Sequence, residues 1–379
     1  MFRLPRPMLA AAAALALALL PATAPASADT GLASDRQPAS YIVTLAETAA
    51  VPTTLARHQL QPSQRFVHAI NGFAATLTPD QVAALRDDPA VIAIEADQVM
   101  TINANQLNPP SWGLDRIDQR FLPLDASYTF NTTAAGVHAY IIDTGIDPTH
   151  FEFGNRATQA VNFAGGPAQD CHGHGTHVAG IVGATSYGVA KQVNLYGVKV
   201  LDCNGAGSIA GVIAGIDWVA ANHTKPAVAN LSLGGGASLA LDQAVNNLTN
   251  SGVFVATAAG SSNTDACNQS PARAANSTTV MASSSNDTRA PSSNFGPCTH
   301  LYAPGVGITS TVPNNGAATF SGTSMAAPHV AAVAAMYKAT FGDHAFNVIR
   351  HWLQVNATRG VISGNPPNTP NLLLFTRGL

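Results

Sequence analysis

An α/β fold, a mostly parallel twisted sheet with helices on both faces, preceded by a small α+β domain, is the architecture predicted by this 379-residue chain. Three observations carry it. Short, largely apolar runs at 193–200, 228–231, 253–257 and 278–282 read as strands covered on both faces. Helix-like stretches at 210–222, 239–250 and 326–338 alternate with them, which implies parallel strands joined by helices. Residues 105–379 are enough for one large core of this kind.

Residues 1–28 read as a secretory signal peptide. Arg3 and Arg6 precede an apolar stretch over 8–20, and Ala26-Ser27-Ala28 supplies small residues for cleavage before Asp29. That stretch is too short for a membrane span, and no later run approaches ~18 continuous apolar residues. The next unit, 29–104, has the β-α-β-β-α-β pattern of a ferredoxin-like α+β domain. Residues 41–45 alternate as a strand, and 66–70 with 73–77 form a hairpin around Asn71-Gly72, a preferred turn dipeptide. Thr78-Pro79-Asp80-Gln81 is a capping box with Pro in the first turn, opening a helix through Arg86, and 91–95 is the closing strand.

Three later stretches carry chemistry. Gly322-Thr323-Ser324-Met325-Ala326-Ala327-Pro328-His329-Val330 puts Ser324 at the mouth of a buried helix. Unpaired N–H groups there can bind an oxyanion while the serine attacks a carbonyl. Pro328 then has to lie in the first turn. Val137-His138-Ala139-Tyr140-Ile141-Ile142-Asp143-Thr144-Gly145-Ile146-Asp147 is an apolar strand ending in Asp143 and a Gly turn, which holds a carboxylate rigidly. His172-Gly173-His174-Gly175-Thr176-His177-Val178-Ala179-Gly180 sets His174 at the start of a Gly- and Ala-rich helix. Taken singly, each residue reads as a cap, a turn residue or a structural histidine. Together they supply a carboxylate, a base and a nucleophile in the chain order Asp, His, Ser. A metal reading of His172, His174 and His177 lacks the i, i+4 pair with an intervening Glu that a zincin uses.

From about Tyr41 to the C-terminus the chain resembles the subtilase family of serine endopeptidases, in its proteinase K branch and nearest to the aqualysins. The resemblance rests on the three motifs, on Trp112-Gly113-Leu114-Asp115-Arg116-Ile117-Asp118-Gln119 and on Asn230-Leu231-Ser232-Leu233-Gly234-Gly235-Gly236. It implies that Asp143 orients and stabilises the imidazolium, that His174 is general base and then acid, and that Ser324 forms an acyl-enzyme. His172, His177 and His329 are read as structural. It implies further that 29–104 is an inhibitor-type propeptide, which templates folding, plugs the cleft and leaves by self-cleavage near Ala104. Residues 105–379 are then the subtilisin-like peptidase domain.

By the same resemblance, Gly205, Ala206, Gly207 and Ser208 face Ser232, Leu233 and Gly234 as two backbone edges that pair with an extended peptide. Leu233, Gly234, Ala258, Ala259 and Gly260 wall a pocket for a large apolar or aromatic P1 side chain, with no acid to select Lys or Arg. Four cysteines suit an oxidising compartment, and counting alone allows three pairings. The resemblance selects Cys171 with Cys203 and Cys267 with Cys298.

Three positions depart from the family pattern. Ser261 stands where the family has an Asn whose amide, with the Ser324 backbone N–H, donates to the oxyanion. Its shorter hydroxyl implies a weakened enzyme, and Asn263 lies two positions on. His300 replaces an Asp of a calcium site completed by backbone carbonyls near Ala275 and Ser277, and calcium prefers oxygen to nitrogen. Met281 replaces a strand Gly, which implies local repacking. One further calcium loop matches the family, the oxygen cluster of Asp115, Asp118, Gln119, Asp125 and Ser127. Such clusters also form plain solvated turns. Catalysis needs no cofactor in this scheme.

With charged residues at 10% and a formal net charge of -3, the chain has no basic patch for nucleic acid. The expectation is a secreted, extracellular, monomeric endopeptidase, free of the membrane, whose partners are protein or peptide substrates and its own propeptide. The alternative is a catalytically weakened homologue with a binding or regulatory role. An esterase using the same triad fits less well, because paired Gly-rich edges imply a peptide strand.

Overall fold

The computed structural model describes residues 38–97 and 104–379. The signal peptide read over 1–28 lies outside the described residues. The chain forms two compact units that divide between Met100 and Thr101.

In the first unit β1 (Ala39–Leu45), α1 (Val51–Arg57), β2 (Gln64–Phe66), β3 (Gly72–Leu77), α2 (Pro79–Arg86) and β4 (Val91–Ala96) follow the expected order. The strands pair antiparallel as β2-β3-β1-β4. Val43, Leu45, Phe73 and Leu77 close a core against Leu55 and Leu85 of the helices. The capping box is present, with Gln81 N donating to Thr78 Oγ1 at 3.2 Å and Thr78 N to Gln81 Oε1 at 2.9 Å. The hairpin differs from the expectation: Gly72 pairs with Phe66 inside the ladder, and 67–71 make the connection. A Cβ on Gly72 would overlap the Val43 carbonyl, so the glycine serves close strand approach rather than a turn. Asn71 is drawn away as well, its Nδ2 donating to Ala46 O at 2.7 Å and Ala49 O at 2.8 Å.

The second unit opens with β5 (Ala104–Leu107), α3 (Trp112–Ile117), β6 (Ser127–Phe130), β7 (His138–Asp143), β8 (Ala157–Asn162), α4 (His174–Gly183) and β9 (Asn194–Lys199). It continues through α5 (Ile209–Asn222), β10 (Ala227–Leu231), β11 (Gly235–Gly236), α6 (Leu239–Asn250), β12 (Phe254–Ala258), β13 (Gln269–Ser270), β14 (Thr278–Ser283) and β15 (Leu301–Pro304). The last elements are β16 (Ile308–Val312), β17 (Gly316–Phe320), α7 (Thr323–Phe341), α8 (Phe346–Asn356), β18 (Thr358–Arg359) and β19 (Leu372–Leu373).

Nine strands form one sheet in the order β18-β19-β15-β14-β12-β10-β7-β9-β8, parallel throughout except for the edge pair β18 and β19. Helices α4 and α7 pack on one face through Val178, Ile181, Val330 and Val333. Helices α5 and α6 cover the other through Ile216, Val219, Val245 and Leu248. Two covered faces explain why β10, β12 and β14 are buried along their whole length. Met281 is fully buried in a satellite cluster with Ala259, Ala266, Ala272 and Tyr302, where three alanines leave room for it.

Disulfides join Cys171 to Cys203 and Cys267 to Cys298, with Cα separations of 5.0 and 5.3 Å. Each closes a loop of about thirty residues, which stabilises the fold by about 3 to 4 kcal/mol in the chain-entropy picture. The first ties the approach to α4 to the segment after β9. Both segments border the carboxyl ends of β7, β9, β10 and β12, where a parallel sheet gathers its functional loops.

Candidate active site

Asp143 is the last residue of β7. Thr144 N donates back to its Oδ1 at 2.7 Å and Gly145 turns the chain at φ +98°, so the carboxylate is fixed at the strand end. His174 is the first residue of α4, admitted by Gly173 at φ +100°. Asp143 Oδ1 and His174 Nδ1 lie 2.7 Å apart, the carboxylate fully buried and the ring reaching the cleft. Burial alone would lower the pKa of His174. The charge and hydrogen bond of Asp143, joined by the charge of Asp170, overcome that and raise it above the ordinary imidazole value.

Ser324 is the second residue of α7, and its Oγ donates to Ser232 O at 3.1 Å rather than to His174. Hydrogen bonds of this kind commonly tighten only when substrate is bound. Pro328 is the sixth residue of α7, not in the first turn as the sequence suggested. Having no N–H, it leaves the Ser324 carbonyl without its helical donor. Ser232 Oγ fills that place at 2.7 Å, itself held by Asn230 Nδ2 at 2.8 Å. The proline is tolerated because a residue of the cleft wall completes the helix.

His174 and Ser324 open onto a cleft of about 560 Å³ that Gly205, Ala206, Gly207, Ser232, Leu233 and Gly234 also line. Ala258, Gly260 and Ser261 form part of its floor, and among the described residues lining it there is no Asp or Glu. Ser208, expected on a backbone edge, and Ala259, expected in the pocket wall, are not among the residues lining this cleft. Ser208 caps α5, accepting from Gly211 N at 3.0 Å, and borders a neighbouring depression. Ala259 is buried with Met281, because alternation beyond β12 turns its side chain away from the cleft. Gln269 and Thr323 also line the cleft, and sequence reasoning missed both as lining residues. Gln269 carried no local signal; Thr323 precedes Ser324 and adjacency could have flagged it.

Thr323 N donates to Ser261 Oγ at 3.2 Å, and the two hydroxyls lie 3.3 Å apart. A Cβ on Gly322 would sit 3.4 Å from Ser261 Oγ and 3.8 Å from Ser324 N, so hydroxyl and amide lie on the same side of Gly322. Asn263 is not on the cleft; its Oδ1 is held by Arg289 and its N by Ser292 O. Of the flanking histidines, His172 lines the cleft, while His177 and His329 are buried. His177 Nε2 lies 3.1 Å from Ile308 O and 3.0 Å from Ala318 O, and His329 Nδ1 lies 2.8 Å from Met325 O. Burial pushes both down to about 4, so they are neutral packing groups.

Asp115 of α3 lies near Asp118 and Asp125 of the segment that leads to β6. Asp115 accepts from Asp125 N at 3.2 Å and Ala126 N at 2.8 Å, and Asp118 Oδ2 accepts from Thr129 N at 2.6 Å. Asp118 Oδ1 is buried with no partner among the described residues. Burial, with the charges of Asp125 and Asp115, pushes Asp118 up to about 7, and burial raises Asp115 too. Gln119 Oε1 accepts from Asp125 N at 3.2 Å, and Ser127 Oγ lies 2.5 Å from Asn105 Oδ1. Among the described residues no three acidic, His or Cys side chains converge as a ready metal cluster. One buried, orphaned oxygen and carboxylates that raise one another's pKa are what this loop would offer a hard dication.

A parallel sheet that brings a buried carboxylate, an imidazole and a helix-start serine to one cleft defines a serine hydrolase of the subtilisin kind. Residues 135–372 match the Subtilase family and residues 40–103 the Peptidase inhibitor I9 family. An extracellular serine proteinase of Thermus sp. (strain Rt41A) is 50% identical over 82% of this chain and 77% of its own. Alkaline serine exoprotease A of Vibrio alginolyticus is 53% identical over 74% of this chain, which spans only 54% of that protein. The crystal structure of a cold adapted subtilisin-like serine proteinase superposes with a TM-score of 0.68 at 49% identity, covering 70% of this chain and 97% of that one. The chain belongs to the subtilase family: it is a subtilisin-like serine protease carrying an N-terminal I9 inhibitor domain.

Proposed function

We propose that the chain is a secreted endopeptidase that removes its own propeptide, 29–104, and then cleaves protein and peptide substrates with a preference for apolar or aromatic P1 side chains. The observation that carries this reading is the 2.7 Å contact of Asp143 with His174 at the wall of a cleft also lined by Ser324. His174 Nε2 takes the Ser324 proton as Oγ attacks the scissile carbonyl, and Asp143 holds the imidazolium. The tetrahedral oxyanion is stabilised by the Ser324 N–H and the Ser261 hydroxyl. His174 then protonates the leaving amine, and water repeats the cycle on the acyl-enzyme. Backbone groups of 205–207 and 232–234 bind the extended substrate, which makes sequence choice broad. The small Ala258 side chain and the bare backbone of Gly260, with no acid among the lining residues, favour a large uncharged P1 group.

Asp115, Asp118, Gln119, Asp125 and Ser127 are the residues that would hold a structural calcium ion, which would neutralise the opposed carboxylates and fix the segment between α3 and β6. The mature protein acts as a monomer in the extracellular medium; among the described residues no helix is long and apolar enough to cross a membrane.

The deciding experiment compares purified precursor with its Ser324→Ala variant. Propeptide release and hydrolysis of an apolar-P1 peptide anilide are expected from the first alone. Normal maturation of Ser324→Ala in a protease-free preparation would remove the self-processing reading. One observation favours a second reading, a weakened homologue that binds or regulates: Ser261 presents a hydroxyl where the family has an amide. Stable substrate binding by the unmodified chain without turnover would establish it.

A further inference from the structure

One buried carboxylate outside the Asp143, His174 and Ser324 set is bonded to both elements that carry the first two. Asp170 lies just ahead of α4 and is only 7% exposed. Its Oδ1 accepts from Thr144 Oγ1 at 2.9 Å, His172 N at 3.0 Å and Gly173 N at 2.9 Å. Its Oδ2 accepts from Thr176 N at 2.9 Å and Thr176 Oγ1 at 2.6 Å. The donors thus come from the residue after Asp143 and from both sides of His174. Two further bonds close the lattice, from Gly175 N to Thr144 Oγ1 at 2.8 Å and from Asp147 N to Thr176 Oγ1 at 3.0 Å.

A carboxylate offers about four lone-pair sites, so these donors use the whole acceptor capacity of an ionised Asp170. Slack is absent beneath it, since a Cβ on Gly175 would overlap the Gly145 carbonyl. With the two backbones in contact, a change in the Asp170 cradle moves Asp143 against His174. We propose that Asp170 is a positioning residue of the hydrolytic reaction, a second carboxylate that sets the separation of Asp143 and His174 and shares in holding the imidazolium. The proposal rests on the catalytic reading of Asp143, His174 and Ser324.

The charged and titratable groups around His174 are few. Asp143 faces it from β7 and Asp170 from the segment before α4, His172 has its ring centroid 6.3 Å away, and His177 follows on α4. Lys199 of β9, fully buried, donates from Nζ to Thr144 O at 2.7 Å and feels the charges of Asp170, Asp202 and Asp143. The two aspartates act on the ring in the same sense, so removing one weakens the imidazolium without abolishing it.

The test uses the full chain with Asp170→Asn, Thr144→Val, Thr144→Ser and Ser324→Ala, reading kcat, KM and the pH profile of kcat/KM on an apolar-P1 peptide anilide. Asp170→Asn is expected to lower kcat by about tenfold or more with KM within about twofold. The acid limb is expected at lower pH, because losing a negative neighbour favours the neutral ring. Thr144→Val is expected to lower kcat and Thr144→Ser to restore it. An Asp170→Asn chain with unchanged kcat and acid limb, even one that melts earlier, overturns the proposal. If that variant does not fold, unchanged kcat in folded Thr144→Val overturns it. Full activity in Ser324→Ala would instead sink the underlying catalytic reading.

Discussion

The guanidinium of Arg350 donates to the carbonyl oxygen of Ala275 at 3.1 Å, and the same nitrogen lies 3.5 Å from Ser277 O and 3.3 Å from His300 Nε2. Resemblance placed a calcium site at these carbonyls and found His300 in place of its carboxylate. A cation tethered to α8 now occupies that position, stacked 4.7 Å from the Phe346 ring. His300 accepts at Nδ1 from Thr279 N at 3.0 Å, and burial with the nearby Arg350 charge pushes it down to about 4, so the ring is neutral.

Arg350→Ala is therefore expected to lower the thermal midpoint, since hydrogen bonds to a charged group are worth about 1.5 to 3 kcal/mol. His300→Ala is expected to leave the response to a chelator unchanged. Recovery of the Arg350→Ala loss by millimolar calcium would show that the carbonyls prefer the metal and that the guanidinium is incidental.

Ser261→Asn tests the oxyanion position. An amide reaching further into the cleft acts on charge that exists only in the transition state, so kcat is expected to rise while KM changes little. Loss of this donor costs about 10² to 10³ in turnover in subtilisin, which bounds the gain. Ser261 Oγ already accepts from Thr323 N, which leaves its proton to donate either to Thr323 Oγ1 or into the cleft; donation into the cleft puts the expected gain nearer the lower end. Unchanged or lower kcat in a folded Ser261→Asn chain would mean the hydroxyl fully serves.

The parallel sheet and the three chemical motifs were legible because each has a local signature: unbroken apolar strands, a carboxylate at a strand end, a histidine and a serine at helix starts. What escaped depends on partners distant in sequence. Gly72 reads as a turn residue until Val43 is packed against it, and Pro328 reads as a helix-start proline until Ser232 supplies the missing donor. Ala259 sits between two cleft residues and points the other way. Asp170 is four residues before His174, yet its importance lies in bonds to Thr144, which only the folded chain brings near.

Ser232 and Pro328 form a testable pair. Ser232→Ala leaves the Ser324 carbonyl without a donor, and the expected loss is about 1 kcal/mol of stability together with lower kcat. Pro328→Ala restores a helical N–H to the same oxygen. In the double variant the stability loss from Ser232→Ala is expected to shrink, a coupling readable in a double-mutant cycle. Strictly additive losses would show that Ser232 Oγ is not the substitute donor.

Asp118 makes the calcium reading testable through pH. Its carboxyl, raised to about 7 chiefly by burial, holds a proton in the folded state that the unfolded chain has already lost. Such a group contributes stability that is fully present below its unfolded pKa and is lost as pH rises towards about 7. Without calcium, the thermal midpoint of the unmodified chain is expected to fall relative to Asp118→Asn as pH rises from about 5 to 7; His177, His300 and His329 titrate alike in both chains and cancel. With calcium the order reverses near pH 8, because the ion binds the ionised carboxylate and stabilises the folded state by linkage. Asp115→Ala is expected to abolish most of the calcium response. A midpoint at pH 8 indifferent to chelator, or an Asp118→Asn chain that keeps the full response, would place no calcium at this loop.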